Sequence, residues 1–180
     1  MGYAYKAIDR NRGVENAPGG EQAVFVASVD DFEEIKKTKT TTEPGDSCTI
    51  DGDHTFKTGK GFAKIYMSDE VMQALMESIS EAGSKQYNIK AMGYLPGLNP
   101  VNSEFATAIQ NDDVILLVPL RNGHVLQLGY MGTVVASGAK CASSGDSGIA
   151  SGGKAGHSFE FSSYQRPLYY EGAITEVPTA

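Results

Sequence analysis

The chain is 180 residues long with a formal net charge of -7, and 41% of its residues are hydrophobic against 21% charged. This balance excludes a disordered chain and fits one folded domain that can bury a sizeable core. The acidic surface, with a pI near 4.9, repels nucleic-acid phosphates and so disfavours specific DNA binding. The 21 glycines follow no fixed period and predict many turns, hence a β-rich fold.

Residues 1–22 are expected to form a loop or an ordered arm, because they are rich in glycine and lack a hydrophobic run. No signal peptide is predicted there, and no apolar run in the chain approaches the length of a membrane span. We therefore expect a soluble protein made in the cytoplasm. Cys48 and Cys141 do not form a disulfide framework, so both are expected to be reduced thiols.

Strands and a charged segment follow the arm. Residues 23–29 are mostly apolar and include three β-branched valines, which predicts a strand. In the next segment acidic residues precede basic ones, an order that suits a short helix, although a polar loop fits equally. The charged residues of this segment are Asp30, Asp31, Glu33, Glu34, Lys36 and Lys37. Short strands are predicted at 49–50 and 54–56, and an alternating strand at 62–66.

The sequence predicts one helix, from about Asp69 to Ala82. Ser68 resembles an N-cap, and Glu70 would lie in an acidic first turn. Gly83 stands where a helix commonly ends on a residue with positive φ. Apolar side chains recur on one face at helical spacing, which indicates core packing: Val71, Met72, Leu75, Met76 and Ile79.

Three shorter elements are predicted after this helix. Alternating residues at 87–91 indicate a strand. Residues 93–100 contain two prolines and two glycines and predict a loop. Residues 105–109 predict a short strand or a turn.

A hairpin at residues 114–130 carries the strongest strand signal of the chain. The run from Val114 to Leu120 has no polar alternation, so both faces of its strand are expected to be buried. Asn122 and Gly123 follow between two apolar runs. That pair is typical of a type I′ turn, in which both central residues need positive φ.

The last third of the chain is predicted to hold one long loop and two strands. Residues 136–156 are rich in Gly, Ser and Ala and predict a flexible loop, while 158–162 and 167–174 predict strands. The whole chain, residues 1–180, is therefore predicted to be one mainly β domain. It would be a β-sandwich of antiparallel sheets with about seven to nine strands and one flanking α-helix near 69–82.

One segment resembles a catalytic loop. Gly145-Asp146-Ser147-Gly148 is similar to the nucleophile loop of trypsin-like serine proteases, and His54 and Asp112 precede it in the chain order which that family uses. The context does not fit, because Ile149 replaces the second glycine of the family motif. The sequence therefore argues against a serine protease.

The other motifs predict no site. Gly148–Lys154 fits part of a P-loop, but Ala155 stands where Ser or Thr would hold Mg²⁺, and a strand rather than a helix is predicted to follow. Asp51 and Asp53 are ordinary turn residues. No metal-ligand spacing occurs among the histidines, which are His54, His124 and His157. We therefore expect no enzyme, no cofactor and no metal.

The order of elements and the C-terminal segment carry a resemblance. A helix at 69–82 lies between strands, and a buried hairpin spans 114–130. The chain then runs through His157-Ser158-Phe159-Glu160-Phe161 to Arg166-Pro167-Leu168-Tyr169-Tyr170-Glu171-Gly172. Over about residues 50–175 this order resembles the tail-tube family of tailed bacteriophages, whose fold the tube proteins of contractile injection machines share.

The resemblance implies a structural subunit of a virion tail, made in the host cytoplasm. Family members form β-sandwiches whose sheets join around a ring, usually a hexamer, to close one β-barrel, and the rings stack into a tube. The implied partners are copies of the same chain and other tail proteins such as a tape measure, a terminator or a sheath. DNA would be only passing cargo, and no membrane is implied.

Acidic residues that face the lumen of such a tube would repel DNA and let it pass. Candidates for the lumen or for contacts between rings come from the charged segment and the start of the hairpin, although a solvated surface also explains each of them: Asp30, Asp31, Glu33, Glu34, Lys36, Lys37, Asp112 and Asp113.

A β-sandwich binding module is the alternative, for example a carbohydrate-binding domain, an adhesin or a capsid decoration protein. Such a module should present exposed aromatic residues, and this chain has no Trp. Tyr164, Tyr169 and Tyr170 are the candidate platform.

Overall fold

The computed structural model describes residues 23–40, 43, 45–68, 72–120, 123–129 and 138–178. Their fold is mainly β with one α-helix, as predicted. Eleven strands lie within the described residues, more than the seven to nine predicted. They are β1 (Ala23–Ser28), β2 (Phe32–Glu34), β3 (Thr55–Phe56), β4 (Ala63–Tyr66), β5 (Gln73–Ile79), β6 (Gln86–Pro96), β7 (Val114–Pro119), β8 (Val125–Leu128), β9 (Lys140–Asp146), β10 (Gly156–Tyr164) and β11 (Leu168–Tyr169), with helix α1 at Pro100–Ile109.

Two antiparallel sheets form the body of the molecule. The first has five strands in the order β11-β8-β7-β1-β4, and the second has four in the order β5-β6-β10-β9. Side chains from one face of each sheet meet in the main core. Phe159 and Phe161 of β10 and Ile89 of β6 come from the four-stranded sheet, and Leu116 of β7 and Val26 of β1 from the five-stranded sheet.

β7 lies in the middle of the five-stranded sheet and is buried on both faces, as its unbroken apolar sequence predicts. Leu116 and Val118 point into the main core. Ile115 and Leu117 point to the opposite face, into a second apolar cluster. The strand order explains why a central strand needs no polar alternation here.

The second cluster lies under a layer that we call the cover, made of the described residues of 29–62 together with 170–177. The ribbon β2–β3 belongs to the cover. Phe32, Ile50, Phe62 and Tyr170 pack from the cover onto the five-stranded sheet. The five-stranded sheet is thus sandwiched between the four-stranded sheet and the cover.

The predicted helix at 69–82 is wrong for its described part. Gln73–Ile79 is strand β5, which pairs with β6, and residues 69–71 lie outside the described residues. The apolar spacing that fits a helix also fits an edge strand, because Met76 lies on the core side and Leu75 is half-buried on the other. Gly83 has φ +97 in the turn between β5 and β6, so positive φ serves a hairpin here rather than a helix end.

The helix of the structure lies where a loop and a short strand were predicted. Asn99 caps it, since its Oδ1 accepts a hydrogen bond from Asn102 N at 2.9 Å, and Pro100 takes the first helical position. Phe105 and Ile109 bury the apolar stripe. These signals were present in the sequence, but the stripe begins with a polar residue, Asn102, which is buried because its amide donates to Gly97 O at 2.8 Å.

The predicted flexible loop at 136–156 is wrong for residues 140–146, whereas residues 147–155 do form the connection between β9 and β10. Lys140–Asp146 forms β9, which pairs with β10 in register along its whole length. Small polar side chains hide such a strand in sequence, because its position is fixed by backbone pairing rather than by buried side chains. The N-terminal arm predicted at 1–22 lies outside the described residues.

The hairpin of β7 and β8 is confirmed, with a longer connection than predicted. Leu120 N donates to His124 O at 2.8 Å, so three residues separate this pair rather than two. Gly123 has φ +88, in agreement with the need for positive φ at that position. The strands predicted at 23–29, 62–66 and 158–162 correspond to β1, β4 and β10.

Candidate assembly surface

Other segments of the chain form backbone hydrogen bonds at both edges of the five-stranded sheet. Ile50 N donates to Tyr169 O at 2.9 Å beside β11. At the start of β4, Phe62 N donates to Thr175 O at 2.8 Å and Val177 N donates to Phe62 O at 3.0 Å. Backbone pairing therefore reaches both edges of this sheet, at Tyr169 of β11 and at Phe62 directly before β4.

The edges of the four-stranded sheet are open by comparison. Its outer strands, β5 and β9, are seven residues long, and within the described part of the chain no strand pairs with the far side of either. Helix α1 lies beside β9: Gln110 Nε2 donates to Ser143 O at 3.5 Å, and Ser143 Oγ donates to Ala106 O at 3.4 Å. Ala139 bonds to Val114 just before the strand. Open edges of this length are templates for pairing with another chain.

The face of the four-stranded sheet that points away from the core is also open. Side chains alternate along each strand, so Ile89 and Ala91 face the core while Lys90 and Met92 face outward. On β10, Glu160 is exposed between buried neighbours. We call this surface the open face.

Charges on the open face are paired across the strands. Lys90 Nζ lies 3.6 Å from Glu77 Oε2 on β5 and 3.9 Å from Glu160 Oε1 on β10. At the other side of the sheet, Lys140 forms an ion pair with Asp113, which precedes β7. Both lysines of this face are thus held by carboxylates.

A shallow depression of about 420 Å³ crosses β6, β10 and β9 on the open face. Ala142, Ser144 and Ser158 form its floor, and Met92 and Glu160 lie at its side. Glu160 is the ionisable group of this lining, and its Oε1 lies 3.9 Å from Lys90 Nζ. The depression is a groove on the open face.

Most of the predicted interaction residues lie in the cover, on the other side of the molecule. Asp31 pairs with Lys60 at 2.9 Å, and Lys36 pairs with Glu34 at 2.7 Å. Asp30, Glu33 and Lys37 belong to the same segment, and Glu33 and Lys37 are exposed. The structure therefore keeps this charged group together, away from the open face.

The two acidic residues before β7 lie next to the four-stranded sheet instead. Asp112 Oδ1 accepts a hydrogen bond from Ser28 Oγ at 3.1 Å. Asp113 holds Lys140 at the start of β9. Of the predicted residues, Asp113 is thus the one that contacts a residue of an open-edge strand.

The structure does not assemble a Ser-His-Asp site. His54 is buried, and its Nε2 lies 2.8 Å from Gln127 Oε1 while its Nδ1 accepts a hydrogen bond from Lys36 N at 3.0 Å. Ser147 lies in the turn between β9 and β10, where its Oγ donates to Gly148 O at 3.4 Å. Asp112 binds Ser28, so the three groups have separate partners.

His54 has a pKa below its ordinary value because burial disfavours the charged ring, although the contact with Gln127 opposes this. With Nδ1 accepting from Lys36 N, the neutral ring carries its proton on Nε2 and donates it to Gln127. Tyr170 stacks on the ring at a centroid distance of 4.7 Å. His54 therefore joins the cover to β8 as a packed neutral side chain.

The candidate aromatic platform is not assembled either. Tyr170 is buried, and Tyr169 is half-buried against His124 at a ring distance of 5.8 Å. Tyr164 alone of the three is exposed. A carbohydrate platform would need neighbouring exposed rings, which these three tyrosines do not supply.

Cysteine chemistry does not add a site. Cys48 and Cys141 are both free thiols. Cys141 points from β9 into the core, and burial raises its pKa to about 12. A thiol with such a pKa is protonated at neutral pH and is a poor nucleophile.

Sequence reasoning missed the residues of the open surface because it missed strands β5 and β9. One signal was available, since the alternation Ser158-Phe159-Glu160-Phe161 places Glu160 opposite the buried rings. The partners of Glu160 could not be found in this way, because cross-strand neighbours depend on register.

The described helix is too short and too polar to cross a lipid bilayer. No cluster of three or more His, Cys, Asp or Glu side chains suited to a metal occurs among the described residues. Comparison of the chain with protein-family models, with curated proteins and with solved structures gave no match.

Proposed function

We propose that this protein is the subunit of a self-assembling tube of the phage tail-tube kind. Its four-stranded sheets would join edge to edge into a ring of six copies. The rings would stack into a conduit for DNA. The observation that supports this most directly is a contrast within the described residues: segments at Ile50 and Thr175 pair at the two edges of the five-stranded sheet, whereas no strand pairs with the outer side of β5 or β9.

The strand directions suit such a ring. Neighbouring strands of the four-stranded sheet are antiparallel throughout, so β5 and β9 run in opposite directions. Rotation about an axis along the strands preserves direction, and β9 of one copy would then meet β5 of the next as an antiparallel pair. Closure of this kind removes every open edge of the sheet.

The size of the barrel is compatible with a conduit. Six copies of a four-stranded sheet supply twenty-four strands. With neighbouring strands about 4.8 Å apart, the circumference gives a diameter of roughly 37 Å between backbones, and strand tilt widens it. The barrel would enclose a channel rather than a core packed with side chains.

The open face would line this channel, and its charges suit a passing polyanion. Lys90 lies between Glu77 and Glu160, and Lys140 is paired with Asp113. Lysines neutralised by carboxylates offer little attraction to phosphates, so DNA would pass without being held. The charged segment of the cover, which includes Asp31 and Lys36, would then lie outside the barrel.

In this proposal the protein has no catalytic role. The groups that resembled a protease site have separate partners, and the buried Cys141 thiol is not activated. A binding module is a weaker candidate, because Tyr164 is the exposed member of its predicted platform.

The experiment combines size-exclusion chromatography with negative-stain microscopy over a range of concentrations. We expect the wild-type protein to form six-fold rings and tubes. Met76→Lys should abolish rings, because Met76 lies on edge strand β5 on the core side and is 38% exposed in the single copy. An inward-pointing lysine on an edge strand opposes pairing.

Thr58→Lys is the matched control, since Thr58 is exposed in a turn of the cover and receives the same charge. This variant should assemble like the wild type. Circular dichroism must show that both variants remain folded. A wild-type protein that stays monomeric at high concentration, with no ring under any trigger, would overturn the proposal and favour the binding module.

A further inference from the structure

The exposed large apolar side chains are confined to one layer of the molecule. Six such residues occur within the described ranges, with exposures from 38% to 72%. All belong to the four-stranded sheet, its connections or α1, and none to the five-stranded sheet or the cover: Met76, Tyr87, Leu98, Val101, Ile149 and Tyr164. Met76 lies on the open edge already described, and the other five lie at the two ends of the strands.

Three of them lie together at the end of the sheet where α1 begins, which we call the helix end. Leu98 and Val101 flank the start of the helix, and Ile149 lies in the turn between β9 and β10. These two connections touch, because Gly97 N donates to Ala155 O at 3.0 Å. The helix end thus presents a small apolar surface built from two adjacent loops.

Two more lie at the opposite end, which we call the tyrosine end. Tyr164 is the last residue of β10 and pairs with Asn88 of β6, next to Tyr87. Their exposures are 60% for Tyr164 and 44% for Tyr87. Pro96 lies eight positions after Asn88 along β6. At a rise of 3.3 Å per residue, the two ends of the sheet are therefore roughly 26 Å apart.

We infer that the helix end of one copy docks on the tyrosine end of a second copy, and that this is the contact by which rings stack. The inference rests on the proposed function, because an axis along the strands places the two ends on opposite faces of a ring. A contact between different surfaces of identical copies repeats without closing and produces a filament.

Charge and placement favour a second copy over other occupants. The helix end carries Asp146 and Lys154, and the tyrosine end carries Glu81 and Lys85 in the turn after β5. Each end therefore presents charges of both signs around its apolar residues, so each can complement the other. A lipid surface would need one continuous apolar patch, whereas these side chains are divided between opposite ends.

The test uses three variants that place an aspartate on an exposed site. Ile149→Asp changes the helix end and Tyr164→Asp the tyrosine end, and Thr58→Asp is the control in the cover. Rings of each variant are assembled separately and examined by microscopy. We expect both end variants to form single rings with at least about tenfold fewer tubes, since six contacts weaken together in each ring, and the control to form tubes.

Mixing distinguishes the two ends. Rings of Ile149→Asp retain a normal tyrosine end, and rings of Tyr164→Asp retain a normal helix end, so an equal mixture should give stacks of two rings and no longer tubes. Val101→Asp serves as a second variant of the helix end, because an aspartate in the first turn of a helix is favourable to its stability.

The outcomes separate this inference from the proposed function. If the wild-type protein forms no rings, both the stacking contact and the proposed function are overturned. Wild-type rings that never stack, or end variants that form tubes as well as the control does, overturn the stacking contact and leave ring closure standing. Stacks of two rings from Tyr164→Asp alone would also overturn it, because they would mean that helix ends dock on each other.

Discussion

The two sheets of this sandwich use the same antiparallel pairing but differ in what surrounds them. The five-stranded sheet is covered on both faces, and segments at Ile50 and Thr175 pair with its edges. The four-stranded sheet is covered on one face, and both of its edges are open within the described residues. One sheet is therefore paired at both edges by its own chain, while the other has no strand partner at either edge among the described residues.

The difference also explains where exposed apolar side chains occur. A strand such as β7 that is covered on both faces keeps its side chains from Val114 to Val118 out of solvent, and Ile115 and Leu116 are fully buried on opposite sides. An edge strand such as β5 keeps apolar side chains partly exposed, as Met76 shows. Within the described residues, the exposed large apolar side chains thus belong to the layer whose edges have no strand partner.

The largest expected difference between the sheets is in stability. Leu116→Ala should lower the free energy of unfolding by about 2–5 kcal/mol, because it leaves a cavity in the middle of the sandwich. Leu75→Ala on β5 should cost about 1 kcal/mol or less, because Leu75 is half-buried on the open face. Denaturant unfolding followed by circular dichroism measures both.

These two leucines test the comparison directly, since the same atoms are removed from each sheet. Equal losses of stability would mean that β5 is covered as completely as β7. In that case the open edge of β5, and the ring that depends on it, would have to be abandoned.

How far the sequence predicts the fold depends on the same difference. The strands of the five-stranded sheet carry apolar runs or regular alternation, so β1, β4, β7 and β8 could be placed from local pattern alone. β5 could not, because its half-buried side chains at Leu75, Met76 and Ile79 fit helical spacing as well as strand pairing.

The candidate surface was hidden for a related reason. β9 consists of small and polar residues whose position is set by pairing with β10, an interaction between distant parts of the sequence. α1 had a cap and a proline at its start, but Asn102 interrupts its apolar stripe with a buried amide. The charges at Glu77 and Lys90 become neighbours only once the register of β5 against β6 is known.

A smaller effect is expected where the cover meets the five-stranded sheet. His54 is buried as a neutral ring, and protonation would place a proton on Nδ1 against the donor Lys36 N. Its pKa is lowered in the folded state by burial, so the unfolded chain binds more protons. The free energy of unfolding should therefore fall as the pH drops below about 6.5, the ordinary value of histidine, until the folded pKa is reached.

His54→Gln tests this dependence. The nearby charges are those of Lys36, which opposes protonation, and Asp53, which favours it, and the variant keeps both. We expect the variant to lose about 1–3 kcal/mol near neutral pH, because Lys36 N and Gln127 lose their partner. Its stability should then change less between pH 7 and 5 than that of the wild type, as measured by unfolding at each pH.

Hydrogen exchange locates the same effect. If the comparison holds, exchange of the Lys36 amide should accelerate at low pH before the amides of β6 and β10 do, once the intrinsic pH dependence of exchange is subtracted. A stability curve of the same slope in wild type and His54→Gln would mean that this histidine is not the titrating group.

The smallest expected change in stability concerns the charges of the open face. Glu77→Gln combined with Glu160→Gln removes both carboxylates from Lys90, whose partners are about half exposed. Exposed ion pairs contribute little to stability, so the free energy of unfolding should change by less than about 1 kcal/mol.

Retention of duplex DNA by the assembled Glu77→Gln, Glu160→Gln protein should rise at low salt, and this increase should disappear as salt screens the freed lysine. Glu33→Gln with Glu104→Gln makes the same change in net charge at two exposed glutamates away from Lys90, and should leave retention at the wild-type level. Equal retention by both double variants would assign the effect to net charge, and the open face would then lose its role as the surface that DNA passes.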